Sequence, residues 1–499
     1  MRFLNLSELN TMLKHFATIL LSLLLLAEAR ATELYIGTAT ADITPPLPVA
    51  LMGQFHLRIA RQAETPISAS VLVLENREGS RVLETSVMVS CDLVYISAGI
   101  RDRVREKVKK RLPALDVSKI VLNATHTHTA PVLEDESDDV SFLYNIPKEG
   151  VTSVSSYKEM FSDKVSDAIV KAWNARTAGS VTWGLERAAV AYNRRAVYSD
   201  GTTVMYGNTN KPEFRNLEGY EDQDINTLFF WNKQKKLIAL AISVACPAQE
   251  VEHRSFLNAD YWHPTRVALR KKYGADLCIL GWIGAAGDQS PHPMYRKKAE
   301  ERMRVLGKFD RMEDIAGRIN RAVDRAYEVV KNEGVTEVKL AHKAVKLDLP
   351  RRIITPEEYE DSKKVVAEAD AEIKADEKKK DQLYAKMTWF GDVVKRFEYQ
   401  KTNPAPTYET EVHVIRIGDI VVCTNQFELF TDFGIRMQAR SKALQTFVVQ
   451  LAGPGTYLAT DKAVAGGGYS AVCQSNMVSP EGGQVLVDRT LDVIDDLWK

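Results

Sequence analysis

Short runs rich in β-branched and other apolar residues, separated by longer stretches with helical spacing, restrict this chain to folds that build sheets and cover them with helices. Ser70 to Glu75 and Arg81 to Asp92 are two such runs, joined by Glu78-Gly79-Ser80 in the pattern of a hairpin. Tyr35 to Pro46 reads as a strand that ends at a rigid Pro-Pro turn. Ile120 to Ala124, Ser180 to Val190, Leu228 to Asn232, Leu237 to Ala245, Leu277 to Ile283, Val412 to Ile417 and Asp419 to Thr424 read as further strands. Ile100 to Leu112, Tyr157 to Arg176, Asp260 to Lys272 and Gly483 to Trp498 read as helices, the first with a basic face expected to be solvated. Asn193-Arg194-Arg195 opens a long polar loop, of the kind that more often carries function than fills space. The expectation is one large α/β domain over residues 32–499, with mixed sheets and flanking helices. Within it, 355–400 is a charge-rich shift that begins Thr355-Pro356-Glu357-Glu358, an N-cap followed by proline at the first helical position. It predicts an inserted helical hairpin, with Leu383, Met387, Phe390, Val394 and Phe397 as the apolar stripe of its second helix.

Lys plus Arg and Asp plus Glu both number 66, for a formal net charge of +0, so no global field favours nucleic acid or an anionic surface. In residues 1–31, Lys14 precedes the apolar run Phe16 to Ala27, and Ala29-Arg30-Ala31 supplies a small-x-small cleavage site. This is the pattern of a secretory signal peptide and predicts a periplasmic or secreted protein. The apolar core is shorter than the ~20 residues that span a bilayer, and no later stretch is long enough, so no transmembrane segment is expected. Five cysteines, an odd number, do not form a disulfide framework.

The run Val121 to Ala124 leads into Thr125-His126-Thr127-His128-Thr129-Ala130-Pro131. In an extended segment residues two apart share a face, so His126 and His128 converge on one ion or one substrate. Neutral imidazole is the commonest zinc ligand, which makes this His-x-His a candidate catalytic-metal half-site.

Ala41-Asp42-Ile43-Thr44-Pro45-Pro46, Ala124-Thr125-His126-Thr127-His128, Gly284-Ala285-Ala286-Gly287-Asp288-Gln289-Ser290-Pro291 and Phe427-Glu428, in that order, resemble the successive blocks of the neutral ceramidase family. Members of that family are zinc-dependent hydrolases that cut the amide bond of ceramide, with zinc held by two histidines, a glutamate and a tyrosine. The resemblance implies His126, Glu428 and Tyr457 as ligands of Zn2+. It places Tyr469 as a second tyrosine of the site, Arg194 as a contact for substrate oxygens and Ser290 as a positioning or oxyanion-contacting residue. His128 becomes a proton relay. Where the family carries its second zinc histidine, this chain reads Ala245-Cys246-Pro247-Ala248-Gln249. Cys246, His263 and His128 are each open as the replacement, and loss of the metal is a further alternative.

The implied reaction is metal-assisted hydrolysis of an acyl bond in a small acylated substrate, lipid or sugar, with amide and ester both open. A non-catalytic exported binding protein with a degenerate metal site is the rival from another class. A serine hydrolase using Ser290 and His292 without metal is the third reading.

Overall fold

The computed structural model describes residues 32–135 and 143–499, so the leader expected over residues 1–31 lies outside the described residues. Eight strands form the larger sheet: β1 (Glu33–Asp42), β2 (Ser68–Glu78), β3 (Arg81–Cys91), β4 (Ile120–Ala124), β5 (Thr177–Arg187), β6 (Asp224–Asn232), β7 (Leu237–Val244) and β8 (Cys278–Ile283). Their order is β8-β7-β6-β5-β1-β2-β3-β4, antiparallel except for the parallel pairs β7/β8 and β3/β4. A second sheet, β9 (Leu340–Pro350), β10 (Thr407–Ile417), β11 (Ile420–Thr424) and β12 (Gln445–Val449), runs in chain order with only β11/β12 parallel.

Alternation along each strand assigns its side chains to two cores. On β2, Val71 and Val73 face the helix-covered side, whereas Leu72 and Leu74 enter the core that both sheets share. On β10 and β11, Ile415, Ile417, Ile420 and Val422 fill that shared core while Val412, Val414 and Val421 face the far side. Burial on both faces is why these strands read as nearly continuous apolar runs. The large sheet curls until its two ends meet. Ser90 on β3 donates to the Gly281 carbonyl on β8 (2.6 Å), and Asn123 on β4 donates to the same oxygen (3.1 Å). Gly281 is required there, because a Cβ would lie 2.8 Å from the Trp262 indole.

Helices cover the outer faces: α1 (Ala98–Arg111) and α2 (Val154–Asn174) on one half of the large sheet, α3 (Trp262–Tyr273) and α5 (Arg311–Val330) on the other. On the second sheet lie α8 (Thr431–Arg440) and α9 (Pro480–Leu497). The basic face of α1 is not simply solvated. Arg103, Lys107 and Arg111 recur every four residues, and so do Glu159, Asp163 and Asp167 on α2, so facing rows pair across the two helices. The segment read as a long loop after Asn193 holds a small sheet of Arg195–Tyr198, Thr203–Met205 and Phe214–Leu217. Helices α4 (Lys297–Gly307) and α5 add to those expected.

Residues 355–402 form α6 (Pro356–Ala375) and α7 (Lys380–Thr402). Thr355 and Glu358 form a reciprocal capping box at the start of α6. The face of α7 that is fully buried is Ala385, Val393 and Arg396; the residues expected as its stripe are only half-buried. Among the described residues no helix is long and apolar enough to cross a membrane.

Candidate active site

Three parallel pairs set the position of the site. The carboxyl ends of β4, β7, β8, β11 and β12 all feed loops into one region, and strand carboxyl ends are where α/β sheets place ligands. Backbone bonds lock these loops together: Ala124 N to Leu451 O (3.1 Å), Ala248 N to Thr125 O (3.2 Å), Gln450 N to Ile283 O (2.9 Å) and Gly287 N to Leu429 O (2.8 Å).

His126 and His128 do converge, though not by strand alternation. β4 ends at Ala124, and His126 is left-handed (φ 65°), so a turn rather than a pleat aims the two rings at each other. Their Nε2 atoms are 3.1 Å apart. His126 Nδ1 lies 2.7 Å from the Val94 carbonyl and must donate to it, which leaves Nε2 as a bare lone pair. Arg194 donates to Gln249 Oε1 (3.2 Å), which turns the Gln249 amide group toward His128 Nε2 at 2.8 Å and makes that nitrogen an acceptor as well. His128 then carries its proton on Nδ1, where no hydrogen bond satisfies it and Glu252 Oε2 is 3.4 Å away. Two acceptor nitrogens face each other at contact distance, an arrangement that a shared cation or proton relieves.

Glu428 sits opposite Tyr457 in a two-residue parallel pairing, Glu428–Leu429 with Tyr457–Leu458, and its Oε2 is 3.4 Å from His126 Nε2. Burial would raise the Glu428 carboxyl, but His126, Arg194 and a hydrogen bond from Tyr457 outweigh it and hold it low. Arg194 is no surface ion pair. Only 1% exposed, it donates to Tyr457 and Tyr206 (both 3.1 Å), to Gln249 and to the Gly287 carbonyl (2.9 Å), and lies 3.9 Å from Glu428.

Ligands in a tetrahedron at zinc bond lengths stand about 3.4 Å from one another. The His126–His128 and His126–Glu428 separations of 3.1 and 3.4 Å match that spacing, and imidazole, carboxylate and phenol are suitable donors. The set is nonetheless not a closed cage of conventional ligands. Among the described residues no group of three or more His, Cys, Asp or Glu is disposed to hold a metal, so Tyr457 would be needed to complete it.

Two proposed replacement ligands are not brought to this cluster. Cys246 is fully buried in the core beneath α3, its Sγ donates to the Val190 carbonyl (3.4 Å), and burial pushes its thiol well up. His263 stands half-buried on α3 beside Arg266 and Arg270 and does not line the cleft. Ser290 accepts from Tyr206 Oη and from the His292 backbone N–H (3.0 Å each). The His292 ring instead faces the Gln249 carbonyl (2.9 Å) and Glu252, so among the described residues no base faces Ser290 and the serine-nucleophile reading fails on geometry.

Several contributors were not singled out in the sequence. Glu252 lies between His128 and His292. Burial favours its neutral form, yet the His292 hydrogen bond and the charges of His292 and Arg194 prevail and bring it to about 2. His128 is held neutral, at about 3, by burial and by His126. Arg58 clamps both loops, donating to the Met52 and His128 carbonyls (2.6 Å each) and to those of Glu252 and Arg254 (2.7 Å each). Gly53 (φ 105°) backs His128 so closely that a Cβ would meet the ring at 2.6 Å. The available signal was the acidic run Gln249-Glu250-Val251-Glu252 directly after a buried strand.

The cleft, about 100 Å3, lies between the Met52–Phe55 loop, the Pro454–Tyr457 turn and Tyr469. Its outer wall is aromatic. Phe55, Trp389 and Tyr469 have ring centres 4.9 to 5.8 Å apart, and Tyr457 is 5.7 Å from Tyr469. Trp389 comes from α7, which is tied to the mouth by Leu57 N to Asp381 O (3.3 Å) and Leu143 N to Thr388 Oγ1 (3.0 Å).

This architecture is the neutral ceramidase fold. The chain is similar over 93% of its length to a solved ceramidase complexed with C2 (TM-score 0.65, 13% identity, 75% of that chain). It is similar over the same share to the neutral ceramidase from Pseudomonas aeruginosa (TM-score 0.64, 15% identity, 75% of that chain). No protein-family model matches the chain, and no curated protein does.

Proposed function

We propose that the protein is an exported, zinc-dependent hydrolase that cuts an acyl-nitrogen bond in an N-acylated lipid or a related acylated substrate. The observation that carries this reading is the convergence of His126, His128, Glu428, Tyr457 and Arg194 in one cleft on a ceramidase fold. Export rests on the leader pattern of residues 1–31 alone. His126, Glu428 and Tyr457 would hold zinc. Zinc there would supply a Lewis acid for the scissile carbonyl and make water acidic enough to attack near neutral pH.

The chain's own groups do the rest. Val94 fixes the His126 tautomer so that its Nε2 faces the cleft. Glu252 faces the protonated Nδ1 of His128 and so holds the tautomer in which Nε2 is the acceptor, the atom that can take a proton from the attacking water. Arg194 holds the Tyr457 phenol by hydrogen bond, and Tyr469 at the rim presents a second hydroxyl to the developing oxyanion. The aromatic wall excludes water and receives the acyl chain.

Arg194 also favours a second reading. Its guanidinium already compensates Glu428 and bonds Tyr457, as it would in a binding protein that holds no metal. Metal analysis of the purified protein, with hydrolysis of matched N-acyl and O-acyl substrates by the parent and by His126→Ala, separates the readings. Bound zinc and amide turnover, both lost in the variant, support the hydrolase. A protein that takes up no zinc when supplied and turns over neither substrate leaves the binding protein.

A further inference from the structure

Helix α4 is inverted. Amphipathic helices turn their apolar stripe to the core, yet in Lys297–Gly307 the one buried side chain is Arg304. Met303, Val305 and Leu306 are 58, 65 and 62% exposed, and Tyr295, just before the helix, is 44% exposed. Met303 and Leu306 stand three apart and share a face. Left-handed residues at both ends, Arg296 (φ 62°) and Lys308 (φ 56°), bound the helix by sharp turns.

The same segment is basic. From Arg296 to Arg311 it holds seven Lys and Arg (Arg296, Lys297, Lys298, Arg302, Arg304, Lys308, Arg311) against Glu300, Glu301 and Asp310, a net +4 in a chain whose formal charge is +0. Arg304 pairs with Glu301 and Arg311 with Glu250; the other five form no ion pair among the described residues. Exposed apolar residues scattered singly are ordinary, but four within twelve positions, set among basic side chains, are not.

We propose that α4 is an interfacial helix that seats the protein on an anionic lipid surface. Met303, Val305 and Leu306 enter the boundary between headgroups and acyl chains, and the unpaired Lys and Arg side chains meet the lipid phosphates. Charge complementarity selects this occupant. Lys297, Lys298, Arg302 and Lys308, spread around a short helix without an ion pair among the described residues, match a diffuse negative surface, whereas a folded protein partner would need acids at fixed positions; Arg296 stacks on Tyr295. The seat also adjoins the site, because the open groove beside α4, about 870 Å3, reaches Glu250 and His292. The inference goes beyond the hydrolase reading and does not depend on it, since binding is measured without turnover.

The test is co-sedimentation of the full chain with phosphatidylcholine vesicles, with and without phosphatidylglycerol, at low and high salt. The expected result is binding to the anionic vesicles that weakens with salt. Met303→Asp/Leu306→Asp should lower that binding at least tenfold, by loss of ~2 apolar anchors. Each of Lys297→Gln, Lys298→Gln and Arg302→Gln should lower it about fivefold. Val329→Asp, an exposed apolar residue on α5, should leave it unchanged. Melting curves check that every variant is folded, and Met303→Ser/Leu306→Ser replaces the aspartate pair if that pair disturbs the fold. No preference for anionic vesicles overturns the proposal, as do helix variants that bind like the parent. So does a dimer, seen by light scattering, that Leu306→Asp dissolves while vesicle binding is absent.

Discussion

Asp92→Ala removes a carboxylate on which both the core and the site depend, and its surroundings set the size of the loss. Asp92 is fully buried at the end of β3 and takes two bonds from Arg266 on α3, at 2.7 and 3.0 Å. It also accepts from Ser68 N (2.9 Å), Ser68 Oγ (3.1 Å) and Thr125 Oγ1 (3.2 Å). Without it, the Arg266 guanidinium stays buried with no counter-charge, and its Nε already lacks a partner. Removing one member of a buried pair costs about 3–5 kcal/mol, so Asp92→Ala and Arg266→Met should each lose that much. Asp92→Leu/Arg266→Met removes both charges together with their desolvation penalty, and should fall only about 1–2 kcal/mol below the parent, far from the sum of the singles. Urea denaturation of all four proteins, compared at a common m-value, measures this. Additive single losses would refute the reasoning, as would singles that cost under ~1 kcal/mol. Activity should not recover with stability. Asp92 anchors Thr125, and the neighbouring Leu93 and Val94 carbonyls accept from Thr127 N and His126 Nδ1, so the double variant loses a hold on the loop that aims His126.

His126→Ala and Glu428→Gln should each lower kcat/KM by about 10²-fold or more with circular dichroism unchanged, since each removes a donor that would hold zinc. Ser290→Ala should stay within about tenfold of the parent, and a serine-directed phosphonate probe should leave Ser290 unlabelled, because no base faces it. Burial raises the Asp260 carboxyl from 3.8 to about 7, against the hydrogen bonds it accepts from Val251 and Tyr261 N–H. Between those values the folded state keeps a proton that the unfolded chain has released. Its stabilising contribution is therefore complete below about pH 4 and lost by about pH 7, up to ~4 kcal/mol. Asp260→Asn, which cannot ionise, should flatten the urea midpoint across that window. Trp389→Ala opens the aromatic wall and should raise KM for long-chain N-acyl substrates about tenfold, with less effect on short ones, as competition kinetics would show.

What the sequence shows of this protein is what short-range physics decides. Gly79 closes the β2/β3 hairpin at φ 61° because a tight turn needs that conformation, and Thr355 with Glu358 caps α6 because those two side chains lie three residues apart. Such features are complete within a few residues. His126 differs, because the alternation that predicts shared faces stops at Ala124 and a left-handed residue takes over, a change no local pattern announces. Cys246 was a reasonable candidate by its place in the chain. The direction of its side chain, however, is fixed by α3 packing on β7 and β8, and the next few residues turn Gln249 and Glu252 toward the histidines instead. The basic stripe of α1 was legible, whereas its acidic partners on α2 stand 52 to 56 residues further along. The site belongs to this second kind. Its parts come from five strand ends, and which of them meet depends on the curl that carries β8 over β3 and β4. That curl is held by Ser90 and Asn123 sharing the Gly281 carbonyl, a contact spanning more than 150 residues. A sequence motif can therefore nominate the residues of such a site, but the sheet's curvature decides which of them touch.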